Sequence, residues 1–214
     1  MDEAGETSIK RRLSRNTQKL KALHREIAAC RRCVEAGYSV ESVPHLVVSG
    51  PADARLMVIG QAPPSERSSH GRPFSGPAGQ RLYRWLAEAG WEEEEFRAHY
   101  YITAITKCYP GKAGKGDRRP TAVEQRLCRP FLDRELALVQ PEIVVLVGGL
   151  AIETFLGHNK LENTIGQVIV RDSVHYVPLP HPSGASLWLN VSQNQARVRE
   201  ALRALNQLKQ NLKL

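Results

Sequence analysis

The apolar run Ile143–Val147 constrains the fold of this chain more than any other segment. It is mostly β-branched, which is typical of a strand that is covered on both faces, as in a parallel sheet. Helical patterns precede and follow it, and this alternation of strand and helix recurs along the chain. The expected strands are Arg55–Ile59, Tyr100–Thr106 and Ile143–Val147. Val168–Val170 and Val174–Val177 are either two short strands around the turn Asp172-Ser173 or one strand leading onward.

Residues that start helices separate the strands. Pro77 suits a first helical turn with Ser75 as its cap, and Thr121-x-x-Glu124 is a capping-box pattern. The expected helices are Thr17–Ala29, Pro77–Ala89, Thr121–Val139, a short one ending at Leu156 and a final one starting at Ser192. The sequence therefore predicts an α/β three-layer sandwich, with a mostly parallel central sheet of about four strands flanked by helices.

The length of 214 residues suits one domain with an appendage. Residues 1–16 lack apolar periodicity, so we expect a mobile basic tail followed by a single domain over 17–214. The longest apolar run falls far short of the roughly 20 residues that span a bilayer. The first residues also lack the apolar segment of a secretory signal, so we expect a cytoplasmic monomer without membrane contact.

The formal net charge of +8 bears on partners rather than on the fold. Nucleic acid is the first candidate, because basic groups gain affinity by releasing counterions from phosphates. A surplus that only aids solubility is the alternative. The cations crowd two segments, Lys10–Arg25 near the start and Lys112–Arg119 in one loop.

In a mostly parallel sheet, ligands bind beyond the carboxyl ends of the strands. Three loops leave those ends: Gln61–Gly76, Lys107–Pro120 and Pro180–Asn190. We expect the chemistry of the protein to lie there.

The four cysteines are Cys30, Cys33, Cys108 and Cys128. Because structural disulfides are rare in the cytoplasm, the choices are free thiols, zinc or an iron–sulfur cluster. Zinc ligands usually come as two tight pairs, whereas Cys108 and Cys128 lie far apart, so the spacing leans mildly towards a cluster.

Five motifs in order carry a family resemblance. They are Gly60-Gln-Ala-Pro-Pro64, Gly71-Arg-Pro-Phe-Ser-Gly-Pro-Ala-Gly79, Lys107-Cys108, Cys128-Arg-Pro-Phe-Leu132 and His181-Pro-Ser183. Together they resemble the uracil-DNA glycosylase superfamily, specifically its iron–sulfur families four and five. The resemblance implies that the four cysteines hold a [4Fe–4S] cluster. It also implies hydrolysis of the N-glycosidic bond of a damaged base in DNA.

The same resemblance assigns roles to single residues. Phe74 is the expected stacking platform for the flipped base, and His181 is the expected donor to the departing base. Further base contacts are expected at Gly60, Ala62 and Ala104, and DNA contacts at Ser75, Lys112, Lys115, Arg118, Arg119 and Ser183. Leu187 or Trp188 is the expected wedge that fills the space left by the flipped base.

Two departures from the family pattern matter. Where relatives carry a water-activating acid, this chain has Gln61 and Ala62, which cannot act as a base; Glu66 and His70 are the nearest titratable substitutes. Ala104 replaces an asparagine that reads uracil in family four, which suggests tolerance of several deaminated bases. The main hypothesis is therefore a uracil-DNA glycosylase, and the alternative is a non-catalytic iron–sulfur module that binds DNA lesions.

Overall fold

A five-stranded sheet forms the centre of the protein in a computed structural model that describes residues 3–38, 48–65, 72–114, 116–157, 160–184 and 186–214. The strand order is β2-β1-β5-β7-β6, and every neighbouring pair is parallel except β6–β7. The sheet strands are β1 (Leu56–Gly60), β2 (Tyr101–Ala104), β5 (Ile143–Val147), β6 (Ile169–Arg171) and β7 (Val174–Leu179). A separate hairpin pairs β3 (Lys112–Ala113) with β4 (Gly116–Asp117).

The central strands form because their side chains are apolar on both faces. Every residue of β1 and β5 is buried, as expected for strands covered by helices on each side. The predicted α/β architecture is confirmed. The sheet has five strands because the segments on either side of Asp172-Ser173 form two strands, β6 and β7, which pair antiparallel at one edge.

Helices surround the sheet, and none in the described ranges is long and apolar enough to cross a membrane. Helix α1 packs against α5, and α3 packs against α7. The helices are α1 (Glu3–Ala29), α2 (Arg32–Glu35), α3 (Pro77–Glu88), α4 (Glu93–His99), α5 (Ala122–Val139), α6 (Gly149–Leu156) and α7 (Ser192–Leu212).

Residues 3–16, which were expected to belong to a mobile basic tail, are helical and form the first part of α1. The helix begins at Glu3 and continues without interruption to Ala29. The Nδ2 of Asn16 donates to the carbonyl of Leu138 on α5 at 3.1 Å, and Leu13 is partly buried. The amphipathic pattern therefore starts earlier than Thr17, and strong helix formers such as lysine and arginine extend it.

The helix caps match the sequence patterns in one case and differ in the other. At the start of α5, Thr121 and Glu124 form the predicted capping box. At the start of α3, Gly76 is the cap residue rather than Ser75, and no side chain caps the helix. Pro77 stands at the first helical position as predicted, where its missing N–H leaves no hydrogen bond unmade.

A buried polar network joins α5 to β2. The carboxylate of Glu135 accepts from Lys107 Nζ at 2.6 Å and from the hydroxyls of Tyr101 and Thr103 at 3.1 Å. The hydroxyl of Tyr101 lies 2.8 Å from His24 Nε2 of α1. The network thus links three elements immediately beside Cys108, and sequence reasoning did not identify it.

Candidate active site

The predicted loops meet at the carboxyl ends of β1, β2 and β7. Gly60 at the end of β1 pairs with Ala104 at the end of β2. Beyond that pair, the amide of Ile105 donates to the carbonyl of Gly60 at 3.0 Å, and the amide of Thr106 donates to the carbonyl of Gln61 at 3.2 Å. The sheet pattern therefore continues into the first two loops and fixes their positions relative to each other.

Phe74 lies against the end of β1. A Cβ atom built on Gly60 would lie 2.9 Å from the Cζ atom of the Phe74 ring, so only glycine leaves room for the ring here. Phe74 is partly buried and its φ of 52° lies in the left-handed region. The predicted platform residue thus sits over the strand end that the sequence assigned to the site.

His181 follows β7, and because β1, β5 and β7 are parallel it lies at the same end of the sheet as the end of β1. A Cβ atom on Gly148, the cap residue before α6, would lie 3.3 Å from His181 Cδ2. The amide of Ser183 donates to His181 Nδ1 at 3.2 Å, so the neutral ring carries its proton on Nε2. Nearby protein atoms desolvate part of the imidazole and lower its pKa, while the negative charge of Asp117 opposes the shift and the residue itself remains solvent-exposed. The lowered pKa favours the neutral imidazole, whose Nε2–H is a hydrogen-bond donor.

Gln61 and Ala62 leave the first two positions after β1 without a carboxylate. Gln61 is half-buried, and its Nε2 donates to the carbonyl of Arg118 at 3.3 Å. The substitutes suggested by the sequence, Glu66 and His70, lie outside the described residues. Ala104 is buried and presents only a methyl side chain, while its carbonyl accepts from Lys107 Nζ at 2.7 Å.

Asp117 is the acidic group whose charge acts on His181. It ends β4, and its Oδ1 accepts from the hydroxyl of Tyr109 at 2.9 Å and from Lys112 Nζ at 3.0 Å. Its chain neighbour Arg118 receives the hydrogen bond from Gln61, so Asp117 belongs to a segment in contact with the first loop. No sequence pattern singles out Asp117, because it stands in a loop whose other charged residues are cations.

The cations of that loop have acidic partners within the protein. Arg118 makes two hydrogen bonds to Glu124, at 2.6 and 2.7 Å, and is half-buried. Lys112 pairs with Asp117, and Arg119 pairs with Glu153, yet both cations keep exposed side chains. Lys115 lies outside the described residues. Arg118 was expected to contact a DNA phosphate. Its guanidinium is instead bound to Glu124 in the first turn of α5.

The loop after His181 separates the two wedge candidates. The side chain of Leu187 is 78% exposed. Trp188 instead packs against the core and donates from Nε1 to Glu162 at 3.0 Å. Ser183 is half-buried, and its carbonyl accepts from Arg81 at 3.3 Å. Of the two apolar residues, only Leu187 projects towards solvent. Ser75 is likewise half-buried, beside the Phe74 platform.

The four cysteines form no disulfide with one another, and their charges act on one another. Burial raises the pKa of Cys108 well above its ordinary value, and Cys128, Cys33 and Cys30 raise it further in that order. Cys33 and Cys108 share a side-chain hydrogen bond, and the amide of Lys107 donates to Cys128 Sγ at 3.1 Å. Across the described ranges, no group of three or more His, Cys, Asp or Glu side chains meets the geometry of a metal-ion site.

Comparisons with known proteins identify a family. A family model described as the uracil DNA glycosylase superfamily matches residues 47–206. A type-4 uracil-DNA glycosylase of Thermotoga maritima is 30% identical over 134 residues, which are 63% of this chain and 66% of that protein. A type-4 enzyme of Archaeoglobus fulgidus is 32% identical over 140 residues, 65% of each chain. A type-5 uracil-DNA glycosylase of Pyrobaculum aerophilum is 32% identical over 148 residues, 63% of each chain. The matched part thus covers slightly less than two thirds of each of these relatives.

Proposed function

Because this chain belongs to the uracil-DNA glycosylase superfamily, we propose that it is a DNA repair enzyme that hydrolyses the N-glycosidic bond of uracil in DNA. The observation that carries the proposal is the position of two side chains at the carboxyl end of the parallel strands. Phe74 lies over the end of β1, and the neutral donor His181 follows β7. One offers a surface for a planar base, and the other offers a proton donor for its oxygen.

The reaction starts with the base outside the duplex. An extruded uracil stacks on Phe74, and unstacking costs a few kcal/mol, less where a mismatch has already weakened the pair. As the bond to the sugar breaks, negative charge develops on the base. His181 Nε2–H donates to that charge, and such preorganised donors typically contribute about 10²–10³ in rate. A neutral imidazole suits this role because its Nε2–H donates a hydrogen bond to the base while the ring keeps its proton.

Water attack is the step for which the first two residues after β1, Gln61 and Ala62, supply no carboxylate. Glycosidic bonds break with much dissociative character, so stabilising the leaving base lowers the barrier even without a strong base. Glu66 and His70 remain candidates for positioning the water. Asp117 joins them, because its negative charge reaches His181 and is suited to stabilise the positive sugar that forms as the base departs. The backbone amide of Gln61 is a further hydrogen-bond donor to the departing base.

The residues at the ends of β1 and β2 determine which bases the site accepts. Gly60 and Ala62 offer backbone groups, and Ala104 has no side-chain amide to read uracil. A site without that reader discriminates weakly between deaminated bases, because specificity comes from polar groups that a wrong base leaves unpaired. We therefore include hypoxanthine and xanthine among the expected substrates.

DNA contacts come from the rims of the site. Leu187 is the wedge that enters the space left by the flipped base, because it is exposed and Trp188 is not free to do so. Lys112 and Arg119 keep exposed ends for phosphate contact, and Ser75 and Ser183 offer hydroxyls near the strand ends. All of these groups come from one chain, so we propose that a monomer is sufficient for activity.

A [4Fe–4S] cluster fits the four cysteines. Four thiols that act on one another match the donor set of such a cluster. The buried hydroxyl of Thr106, two residues before Cys108, has no hydrogen-bond partner among the described residues. That orphaned donor, together with the amide that already points at Cys128 Sγ, suits a group rich in sulfur acceptors. A cluster held by Cys30, Cys33, Cys108 and Cys128 would link the segment from the end of α1 through α2, the Lys107–Pro120 loop and α5, and it would do no chemistry on the base.

The test is incubation with a duplex oligonucleotide that contains one uracil, followed by alkali. Alkali breaks the strand at an abasic site and leaves an intact nucleotide unbroken. We expect cleavage with the wild-type protein and a loss of roughly 10²–10³ in rate with His181→Ala, at nearly unchanged DNA affinity. DNA binding without any abasic product would instead support the non-catalytic lesion-binding module.

A further inference from the structure

Phe74 has a backbone conformation that a bulky residue adopts only under constraint. Its φ of 52° lies in the left-handed region, which a side chain with a Cβ atom disfavours. Such a conformation persists only where the surrounding contacts over-determine it, and it is then often part of a functional device. The question is which residues impose it.

Arg97 of α4 contacts the backbone on both sides of this strained residue. Its Nη1 donates to the carbonyl of Pro73 at 2.9 Å, and its Nη2 donates to the carbonyl of Phe74 at 3.5 Å. The guanidinium itself is fixed on two further sides. Its Nε donates to Glu93 at 2.9 Å, and its central carbon lies 4.2 Å above the ring of Tyr83. The side chain is only 10% exposed.

Two glycines complete the enclosure. A Cβ atom on Gly79 would lie 1.6 Å from the carbonyl oxygen of Phe74, so the backbone of α3 closes on that carbonyl directly. At the other end of the residue, the ring tip lies against Gly60. The carbonyl is thus enclosed by Arg97 and Gly79, while the ring rests on the end of β1.

We propose that Arg97 is the positioning residue of Phe74 and holds the stacking platform ready before a base arrives; the inference rests on the proposed function for what the platform binds. A platform ordered in advance loses no freedom when the flipped base stacks on it. Arginine suits the task because its planar fork reaches two carbonyls at once, whereas the ammonium of lysine offers no such fork. The short helix α4 then acts as the support of this loop.

The first test measures single-turnover excision of uracil from duplex DNA. We expect Arg97→Ala to slow excision by about 10- to 100-fold, the size of effect that a misplacement of about 1 Å produces. Arg97→Lys recovers only part of that loss. Arg84→Ala is the matched control, because Arg84 lies exposed on α3 and forms no ion pair among the described residues; its rate stays at the wild-type value.

A double-mutant cycle with Phe74→Ala separates positioning from a general effect on the fold. If Arg97 acts through the platform, adding Arg97→Ala to Phe74→Ala slows excision by less than about twofold. A second full loss in the Phe74→Ala background would overturn the proposal, because Arg97 would then act without Phe74.

A readout independent of activity uses 4-fluorophenylalanine and fluorine NMR. The chain has four phenylalanines, Phe74, Phe96, Phe131 and Phe155, and the Phe74 signal is assigned by its loss in Phe74→Leu. In Arg97→Ala and Arg97→Lys the Phe74 signal should move towards the position of a solvated ring, while the distant Phe131 and Phe155 signals remain. An unmoved Phe74 signal overturns the positioning role. A moved signal in a protein that excises no base refutes the proposed function and leaves the positioning role intact.

Discussion

Removing the charge of Glu135 tests the energetic account of the core. This carboxylate is fully buried and accepts hydrogen bonds from Lys107 at 2.6 Å and from Tyr101 and Thr103 at 3.1 Å. Glu135→Gln keeps the size of the side chain but leaves the ammonium of Lys107 without its counter-charge. The ammonium of Lys107 also donates to the Thr103 hydroxyl and to the Ala104 carbonyl, and both of these acceptors are neutral.

Breaking a buried ion pair by removing one partner costs about 3–5 kcal/mol. Glutamine still accepts one hydrogen bond, so we expect the low end, a loss of about 3 kcal/mol in the free energy of unfolding. For a domain of this size, each kcal/mol corresponds to about 2–4 °C, which predicts a fall in Tm of about 6–12 °C. Urea unfolding followed by circular dichroism gives the free energy, and a thermal scan gives Tm.

Arg134→Gln is the matched control for this measurement. It changes the adjacent residue of the same helix and removes the exposed pair with Glu26. Exposed pairs contribute little, so its unfolding curve should overlay that of the wild type. A loss below about 1 kcal/mol for Glu135→Gln, or an equal loss for both variants, would refute the assignment of a buried charge to this site.

Three further predictions concern the site itself. Because desolvation lowers the pKa of His181 from 6.5, the excision rate should stay constant as the pH falls to about 6.5 and drop only below the lowered pKa; a rate that rises on acidification would mean that the cation is the active form. Leu187→Ala should slow excision from duplex DNA more than from single strands, where no stack must be opened, whereas equal loss on both would remove the wedge role. The purified protein should be brown and contain iron, with Cys128→Ser losing the colour; a colourless protein containing one zinc would contradict the cluster.

The sheet was predictable from sequence because its strands depend on local composition. The run Ile143–Val147 is buried along its whole length, as its β-branched residues indicated. The start of α1 was not predictable in the same way. A basic, weakly periodic segment is compatible with both a coil and a helix, and the hydrogen bond from Asn16 to Leu138 depends on an element more than a hundred residues away.

The site likewise contains residues that local sequence motifs identified and residues that only long-range contacts define. Phe74 and His181 stand in motifs rich in glycine and proline, which mark loops at strand ends. Both residues lie at the carboxyl end of the parallel strands, Phe74 against Gly60 and His181 against Gly148. Arg97 and Asp117 gave no such signal, because their roles come from contacts with backbone or charges that are distant in sequence. The partners of the basic loop were hidden for the same reason: Glu124 was identifiable as a capping residue but not as the counter-ion of Arg118.

The most direct measurement is the detection of free base by mass spectrometry after incubation with uracil-containing duplex DNA. If the protein is a uracil-DNA glycosylase, one uracil is released for each abasic site formed, and His181→Ala slows the release by roughly 10²–10³. Binding to the DNA without release of any free base would contradict it, as would release that is unaffected by the loss of His181.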